Sequence, residues 1–161
     1  MKISDLVNNN GVFIDFSNQR ILYFELFRSE EYDIKYGLTL NGFLIESNRH
    51  ANCIPYEADN YIAFVKILQI PFDSLIVAIR NSSRNMLIQN GDIAELFPIK
   101  KIAKTVFVME SNYWSKLAVE FLIFYQINDL ELKEFFASKL NDKWITRRLR
   151  RLVMKYIKSG G

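Results

Sequence analysis

The chain has 161 residues, of which half are hydrophobic and 14% are aromatic, so it can bury a core and is not a disordered protein. Its single cysteine, Cys53, excludes an internal disulfide and a four-cysteine zinc site. The net charge of +3 is unevenly distributed: from Lys143 onward there are seven basic residues and no acidic ones, which leaves 14 basic and 18 acidic residues, a net charge of −4, in the remainder.

The length fits one domain, and no linker-like composition interrupts the chain, so we predict a single α+β domain over residues 1–158. Residues 159–161 are expected to be a frayed end or a remnant of cloning. The first residues lack the apolar core of a secretory signal, and the longest apolar stretch, 117–125, is far shorter than the roughly 20 residues of a membrane helix. We therefore expect a cytoplasmic protein without membrane contact. Enrichment in Asn, Ile, Lys, Phe and Tyr is typical of AT-rich genes and compatible with a bacterial source.

The first part of the chain has the composition of β-hairpins. Four β-branched and aromatic segments predict strands: 12–16, 21–27, 38–40 and 43–45. The polar stretch 17–20 predicts a four-residue turn within the first pair. In the second pair, Asn41-Gly42 favours a type I′ turn, because both residues tolerate positive φ angles. The polar segment 47–55 predicts a surface loop.

The middle of the chain is ambiguous between helix and strand. Tyr61, Phe64, Val65 and Leu68 recur with helical spacing, so residues 58–69 are predicted to be helical. Three apolar segments then predict further strands: 75–79, 86–88 and 105–109. Residues 92–96 predict a single helical turn before Pro98.

From Ser111 onward the apolar spacing is helical. Three helices are predicted, each after a pair of residues that can cap its first turn: Ser111 or Asn112, Asn128 or Asp129, and Asn141 or Asp142. The third is expected to reach about Ile157. The predicted architecture is therefore antiparallel hairpins in the first two thirds, packed with a C-terminal three-helix segment.

The last predicted helix separates apolar from basic side chains. Ile145, Leu149, Leu152, Val153, Tyr156 and Ile157 fall on one side of a helical projection, and the other side and its edges carry Arg147, Arg148, Arg150, Arg151, Lys155 and Lys158. Trp144 precedes three of these arginines at helical spacing, so we expect it to offer a stacking surface on the basic side. Positive charge in the first turns of a helix costs about 0.3–1 kcal/mol. Ion pairs with Glu131, Glu134 or Asp142, or plain solvation, are the favoured explanation, ahead of ligand binding.

A second candidate surface is the acidic segment Glu30, Glu31, Tyr32 and Asp33. A tyrosine among carboxylates suits the rim of an interface with a basic protein, where charge steers the encounter and the ring anchors it. A solvated acidic loop is an equally good interpretation.

Catalytic candidates are few. His50 and Cys53 are the only residues of their kinds, and we interpret them as a loop histidine and an inert thiol. Asp15 and Glu25 lie within apolar strands and are the best acid–base candidates, although such positions more often face solvent. No phosphate loop, nucleophile elbow or zinc motif occurs, so we expect no catalytic residue, metal or cofactor.

Size and missing motifs favour a non-enzymatic protein-interaction module that binds and occludes a partner protein, as bacterial immunity and antitoxin proteins do. The partner would bind Glu30, Glu31, Tyr32 and Asp33, or Trp144, Arg147 and Arg151. The first alternative is a nucleic-acid-binding module whose basic helix neutralises phosphates. Against it stands the mildly acidic remainder of the chain. The second alternative is a small enzyme without a recognisable motif.

Overall fold

The computed structural model describes residues 2–47, 50–82, 92 and 96–159. Contacts divide the chain into two compact units, the first formed by residues 1–58 and 70–96 and the second by 59–69 and 97–161. The first contains all the described strands and the second is helical. The α+β class predicted from the sequence is confirmed. That the chain is a single domain stays a prediction.

The first unit is built on one five-stranded antiparallel sheet in which the strands follow one another in chain order. The strands are β1 (Val12–Phe16), β2 (Gln19–Ser29), β3 (Ile34–Thr39), β4 (Gly42–Ser47) and β5 (His50–Pro55). Two helices, α1 (Ile3–Asn10) and α2 (Phe72–Ser82), pack against β2. The central strands β3 and β4 are largely buried, whereas the edge strands β1 and β5 are largely exposed. The sheet core therefore lies under its middle strands.

The first hairpin forms as predicted, but its turn is shorter. Phe16 pairs with Gln19, so only Ser17 and Asn18 lie in the turn. Their φ angles of 49° and 63° are those of a type I′ turn, whose twist matches that of paired strands. The predicted four-residue turn is wrong because Gln19 and Arg20 already belong to the ladder.

The second hairpin also forms, with a different turn. Gly42 already belongs to β4 and pairs with Pro55, and neither Asn41 nor Gly42 has a left-handed φ. The hydroxyl of Thr39 closes the turn instead, donating to the carbonyl of Gly42 at 2.9 Å and accepting the N–H of Asn41 at 3.3 Å. The predicted type I′ turn is wrong because a side chain hydrogen bond supplies the reversal.

The predicted loop over 47–55 is also wrong. Residues 50–55 form the edge strand β5, which pairs with β4 from Ser47↔His50 to Gly42↔Pro55. An edge strand exposes both faces when nothing covers it, so its sequence is polar and lacks the alternation of a half-buried strand. Composition alone therefore could not distinguish it from a loop.

A bulge in β2 explains how consecutive apolar residues are buried. The register shifts between Glu25 and Phe27, so that Leu26 is an extra residue in the strand. Both Leu26 and Phe27 are buried. On the neighbouring strand, Gly37 leaves room for the ring of Tyr23, since a Cβ at Gly37 would lie 2.2 Å from its Cε2 atom.

Two segments predicted to be strands are helical. Residues 75–79 lie in α2, where Leu75, Ile76 and Ile79 are buried while Val77 is exposed. Residues 105–108 lie at the end of α3, which spans Ile99–Val108. In both segments, burial of one face of the helix favours helical structure more than the β-branched composition favours a strand. The predicted strand 86–88 lies outside the described residues, as does most of the predicted turn 92–96.

The regular elements described in the second unit are all helices. They are a 3-10 helix (Ile62–Gln69), α3 (Ile99–Val108), α4 (Asn112–Phe124), α5 (Leu130–Lys139) and α6 (Arg147–Lys158). The predicted caps of α4 and α5 are confirmed: Ser111 accepts the N–H of Trp114, and Asp129 accepts that of Leu132. The predicted start of α6 is wrong, because Thr146 is its cap. Across the described part of the chain, no single helix combines the length and apolar character needed to cross a bilayer.

Candidate functional site: the basic face of helix α6

The apolar side of α6 is buried as predicted. Leu149, Val153 and Tyr156 are buried, with Leu152 and Ile157 half-buried beside them. Thr146 begins the helix by accepting the N–H of Leu149 at 3.3 Å. Since the buried stripe fixes the rotation of the helix about its axis, it also fixes which side chains point outward.

The outward side of α6 carries only positive charge. Its six cations are all exposed, and we call them the basic face: Arg147, Arg148, Arg150, Arg151, Lys155 and Lys158. None of them forms an ion pair with a residue that the structure describes. Arg150 instead donates from Nε to the carbonyl of Leu140 at 2.8 Å.

The acidic residues expected to neutralise this face are placed elsewhere. Glu131 pairs with Lys104 at 2.5 Å, and Asp142 pairs with Lys139 at 3.6 Å. Glu134 is exposed and forms no ion pair with a described residue. The ion pairs expected from the sequence are therefore not formed, and the six cations of the basic face stay exposed.

Two surface depressions flank the basic face, with volumes of about 740 and 570 Å³. Both are lined by Arg147, Arg151 and Lys155, which we call the ridge. The first depression lies between α4 and α6 and also contains Leu152. The second contains Met154. Each depression thus combines guanidinium and ammonium groups with one aliphatic side chain.

On the side formed by α4, the first depression is lined by an ion pair. Lys116 and Glu120 lie one helical turn apart, with their charged atoms 2.9 Å apart. Glu120 is the acidic residue that lines this depression, and its own charge is neutralised by Lys116. The depression therefore keeps a net positive lining while presenting one carboxylate.

Trp144 does not take the position expected from the sequence. It lies before α6 begins, and its ring packs against that of Phe107, with centroids 5.5 Å apart and planes at 76°. It lines a separate depression with Glu110 and Asp142. The helical spacing that placed it beside Arg147 does not apply, because residues 140–145 form turns rather than helix.

The acidic segment is the turn between β2 and β3. Glu30, Glu31 and Asp33 are exposed and Tyr32 is half-buried. A positive φ of 49° at Asp33 and its hydrogen bond from N–H to the carbonyl of Glu30 form the turn. Tyr32 donates its N–H to Ser29 Oγ.

Basic residues are interleaved with the acidic ones around this turn. Arg28 makes two hydrogen bonds of 3.0 Å to Glu25 and lies 3.9 Å from Glu30. The hydrogen bond to Glu25 raises the pKa of the Arg28 guanidinium above its ordinary value. Lys35 lies 3.9 Å from Glu25 and 3.8 Å from Glu46. This surface therefore has mixed charge, unlike the basic face.

The catalytic candidates are not brought together. His50 and Cys53 are both exposed on β5, and at a separation of three residues their side chains point to opposite sides of the strand. Although the residue as a whole is exposed, partial burial of the Cys53 thiol raises its pKa, which disfavours the nucleophilic thiolate. Asp15 is exposed, and the carboxylate of Glu25 accepts hydrogen bonds from Arg28. Among the described residues, no group of three or more His, Cys, Asp and Glu side chains could hold a metal ion.

Sequence reasoning missed the residues that complete the site, Lys116, Glu120 and Met154. Lys116 and Glu120 have the i, i+4 spacing of a helical ion pair, but nothing in the sequence indicated that α4 would lie beside α6. Met154 is separated from Arg147 and Arg151 by seven and three residues, which indicates a shared side of the helix.

The chain matches no protein-family model, no curated protein and no solved structure, so its function can be inferred only from its side chains and their arrangement.

Proposed function

We propose that this chain is a non-enzymatic binding protein that uses the basic face of α6 to hold and occlude an acidic protein partner. One observation carries the proposal. Four arginines stand among the first five residues of α6, and none is paired with an acidic residue in the described part of the chain: Arg147, Arg148, Arg150 and Arg151.

The energetics of the helix give this observation its weight. The first turn of an α-helix carries a partial positive charge, so each cation placed there costs about 0.3–1 kcal/mol. The first turn of α6 contains no acidic residue to offset that cost. Features that oppose local stability without internal compensation are typical of binding sites. A carboxylate supplied by a partner would relieve the repulsion, since helix N-termini and guanidinium groups both bind anions.

The surroundings favour a protein over a nucleic acid. Leu152 and Met154 give each depression an aliphatic contact, and arginine and methionine are enriched in protein interfaces. The indole of Trp144, a stacking surface for nucleotide bases in the sequence-based hypothesis, packs against Phe107 instead.

The biological role within this proposal is inhibition by occlusion, as in bacterial immunity and antitoxin proteins, in the cytoplasm. The free, exposed thiol of Cys53 is compatible with a reducing compartment such as the cytoplasm. Binding by charge also suits a protein that must reach its partner quickly, because complementary charge accelerates association by one or more orders of magnitude.

Capture of a partner from nuclease-treated lysate of the source cells tests the proposal. The wild-type chain should retain a stoichiometric acidic protein, and the double variant Arg147→Glu/Arg151→Glu should lose it. The matched control is Lys2→Glu/Arg20→Glu, which makes the same charge change at exposed positions of the first unit and should retain the partner. Loss of all captured material on nuclease treatment, or equal capture by both double variants, would overturn the proposal.

A further inference from the structure

We propose that the partner's contact element is an acidic amphipathic α-helix that lies along the ridge and inserts apolar side chains into the two depressions. This inference rests on the proposed function and names the class of structure that the basic face fits. It is carried by the spacing of the ridge cations, by the position of the depressions on either side and by the complementarity of charge.

The three cations of the ridge recur at every fourth residue along the outer side of α6. Arg147, Arg151 and Lys155 are separated by four residues each, so successive cations are about 6 Å apart along the axis of α6 and turned by about 40°. A second helix presents Glu or Asp at i, i+4 and i+8 with the same rise. Rows of this spacing are inclined to the helix axis, so when two helices cross at about 50° their rows run parallel and three carboxylates lie opposite three cations.

The depressions provide for the apolar side chains of such a helix. Helices that dock in grooves insert residues spaced three and four apart, and these project on both sides of a row of carboxylates. Leu152 lines one depression and Met154 the other. The aliphatic stems of Arg151 and Lys155 add apolar surface while their charged ends stay at the rim. Volumes of about 740 and 570 Å³ leave room for leucine-sized groups.

Two synthetic helical peptides of the same composition test the register. In the matched peptide, Glu stands at i, i+4 and i+8 with Leu at the positions flanking that row; in the control peptide the Glu residues are distributed around the helix. Fluorescence anisotropy at physiological ionic strength should give a dissociation constant about tenfold lower for the matched peptide, a difference of about 1.4 kcal/mol. A labelled DNA duplex is the third probe.

Variants of the full chain separate charge from apolar contact. Arg151→Gln should weaken the matched peptide about tenfold and reduce the salt dependence of binding. Met154→Gln, at an exposed position where glutamine is a good helix former, should weaken the matched peptide about threefold while leaving the control peptide unchanged. Circular dichroism of each variant checks that α6 is intact.

The outcomes distinguish this inference from the proposed function. Equal affinity for both peptides, or failure to bind either, would overturn the inference, and a partner captured from lysate would still support the proposed function. Tighter binding of duplex DNA than of the matched peptide, lost in Arg147→Glu/Arg151→Glu, would overturn both. Preference for the matched peptide that depends on Arg151 and Met154 would establish the helical partner.

Discussion

The carboxamide of Asn112, in the first turn of α4, holds the backbone of Thr146, the cap of α6. Its Oδ1 atom accepts the N–H of Thr146 at 3.0 Å, and its Nδ2 atom donates to the carbonyl of Trp144 at 2.5 Å. One side chain thus satisfies two backbone groups just before the basic face begins. The direction in which Arg147 and Arg148 leave the protein surface therefore depends on α4.

Replacing Asn112 with alanine should lower the free energy of unfolding by about 1–2 kcal/mol, because two backbone groups lose their partner. Urea denaturation measures this loss. The matched control is Asn8→Ala, at an exposed position of α1, which should change stability by less than about 0.5 kcal/mol. Equal stability of the two variants would show that the Asn112 hydrogen bonds do not hold the start of α6.

Charge reversal at the two ends of α6 should have opposite effects on stability. Arg147→Glu replaces a cation by an anion at the positive end of the helix and should raise the free energy of unfolding by about 0.5–1.5 kcal/mol at low salt. Lys158→Glu makes the same charge change at the negative end and should lower it. Denaturation at low and at 1 M salt should show both differences shrinking as screening increases. Loss of stability in Arg147→Glu would mean that an internal interaction, rather than a partner, retains this arginine.

The carboxylate of Asp129 should make the second unit sensitive to acid. Burial acts to raise its pKa, but the hydrogen bonds from Lys100 and from the N–H of Leu132 outweigh it, so the pKa lies below its ordinary value of 3.8. Because the pKa of Asp129 is lowered on folding, its ionised carboxylate stabilises the folded state at pH values above the ordinary pKa. This stabilisation is lost as the pH falls through the lowered pKa.

The variant Asp129→Asn tests this contribution, since it keeps an oxygen that can cap α5 but removes the charge paired with Lys100 at 2.5 Å. At neutral pH it should be less stable than the wild type by about 0.5–1 kcal/mol. The difference should narrow as the pH falls from 3.8 through the lowered pKa of Asp129, where the carboxylate of the folded wild type takes up its proton. A difference that stays constant from neutral to acidic pH would contradict the assignment.

Gly37 should not tolerate a side chain. An alanine Cβ would lie 2.2 Å from Cε2 of Tyr23 and 2.4 Å from the backbone oxygen of Phe24. Since Tyr23 is buried and the oxygen belongs to the neighbouring strand, neither can move away easily, and Gly37→Ala should cost about 1–3 kcal/mol. Thermal unfolding measures the effect, with Asn52→Ala on the exposed strand β5 as the control. An unchanged melting temperature would refute this packing.

Trp144 should contribute to stability and not to binding. Trp144→Ala removes the ring that packs against Phe107 and should cost about 1–3 kcal/mol, whereas Trp144→Phe keeps part of that contact. The folded variants should hold an acidic peptide as tightly as the wild type. Weaker binding by folded Trp144→Phe would restore the stacking role predicted from the sequence.

The helical periodicity of the C-terminal segment and two of its three helix caps were readable from the sequence, whereas both predicted hairpin turns were wrong. The apolar stripe of α6 and the caps at Ser111 and Asp129 appear in the structure because they depend on residues within one or two turns of each other. The first hairpin formed for the same reason. The strands predicted over 75–79 and 105–109 are helical in the structure. A run of β-branched residues does not by itself indicate which surface will pack against it, and that packing decides between strand and helix.

Sequence determined that α6 has one apolar and one basic side, since both follow from the helical repeat alone. Only the tertiary structure decided that the basic face is unpaired. Whether an arginine meets Glu131 or water depends on where α5 places that carboxylate, and α5 directs it to Lys104. The depression between α4 and α6 likewise exists only once two helices distant in sequence pack together, because a cavity is a property of their separation and of no single segment.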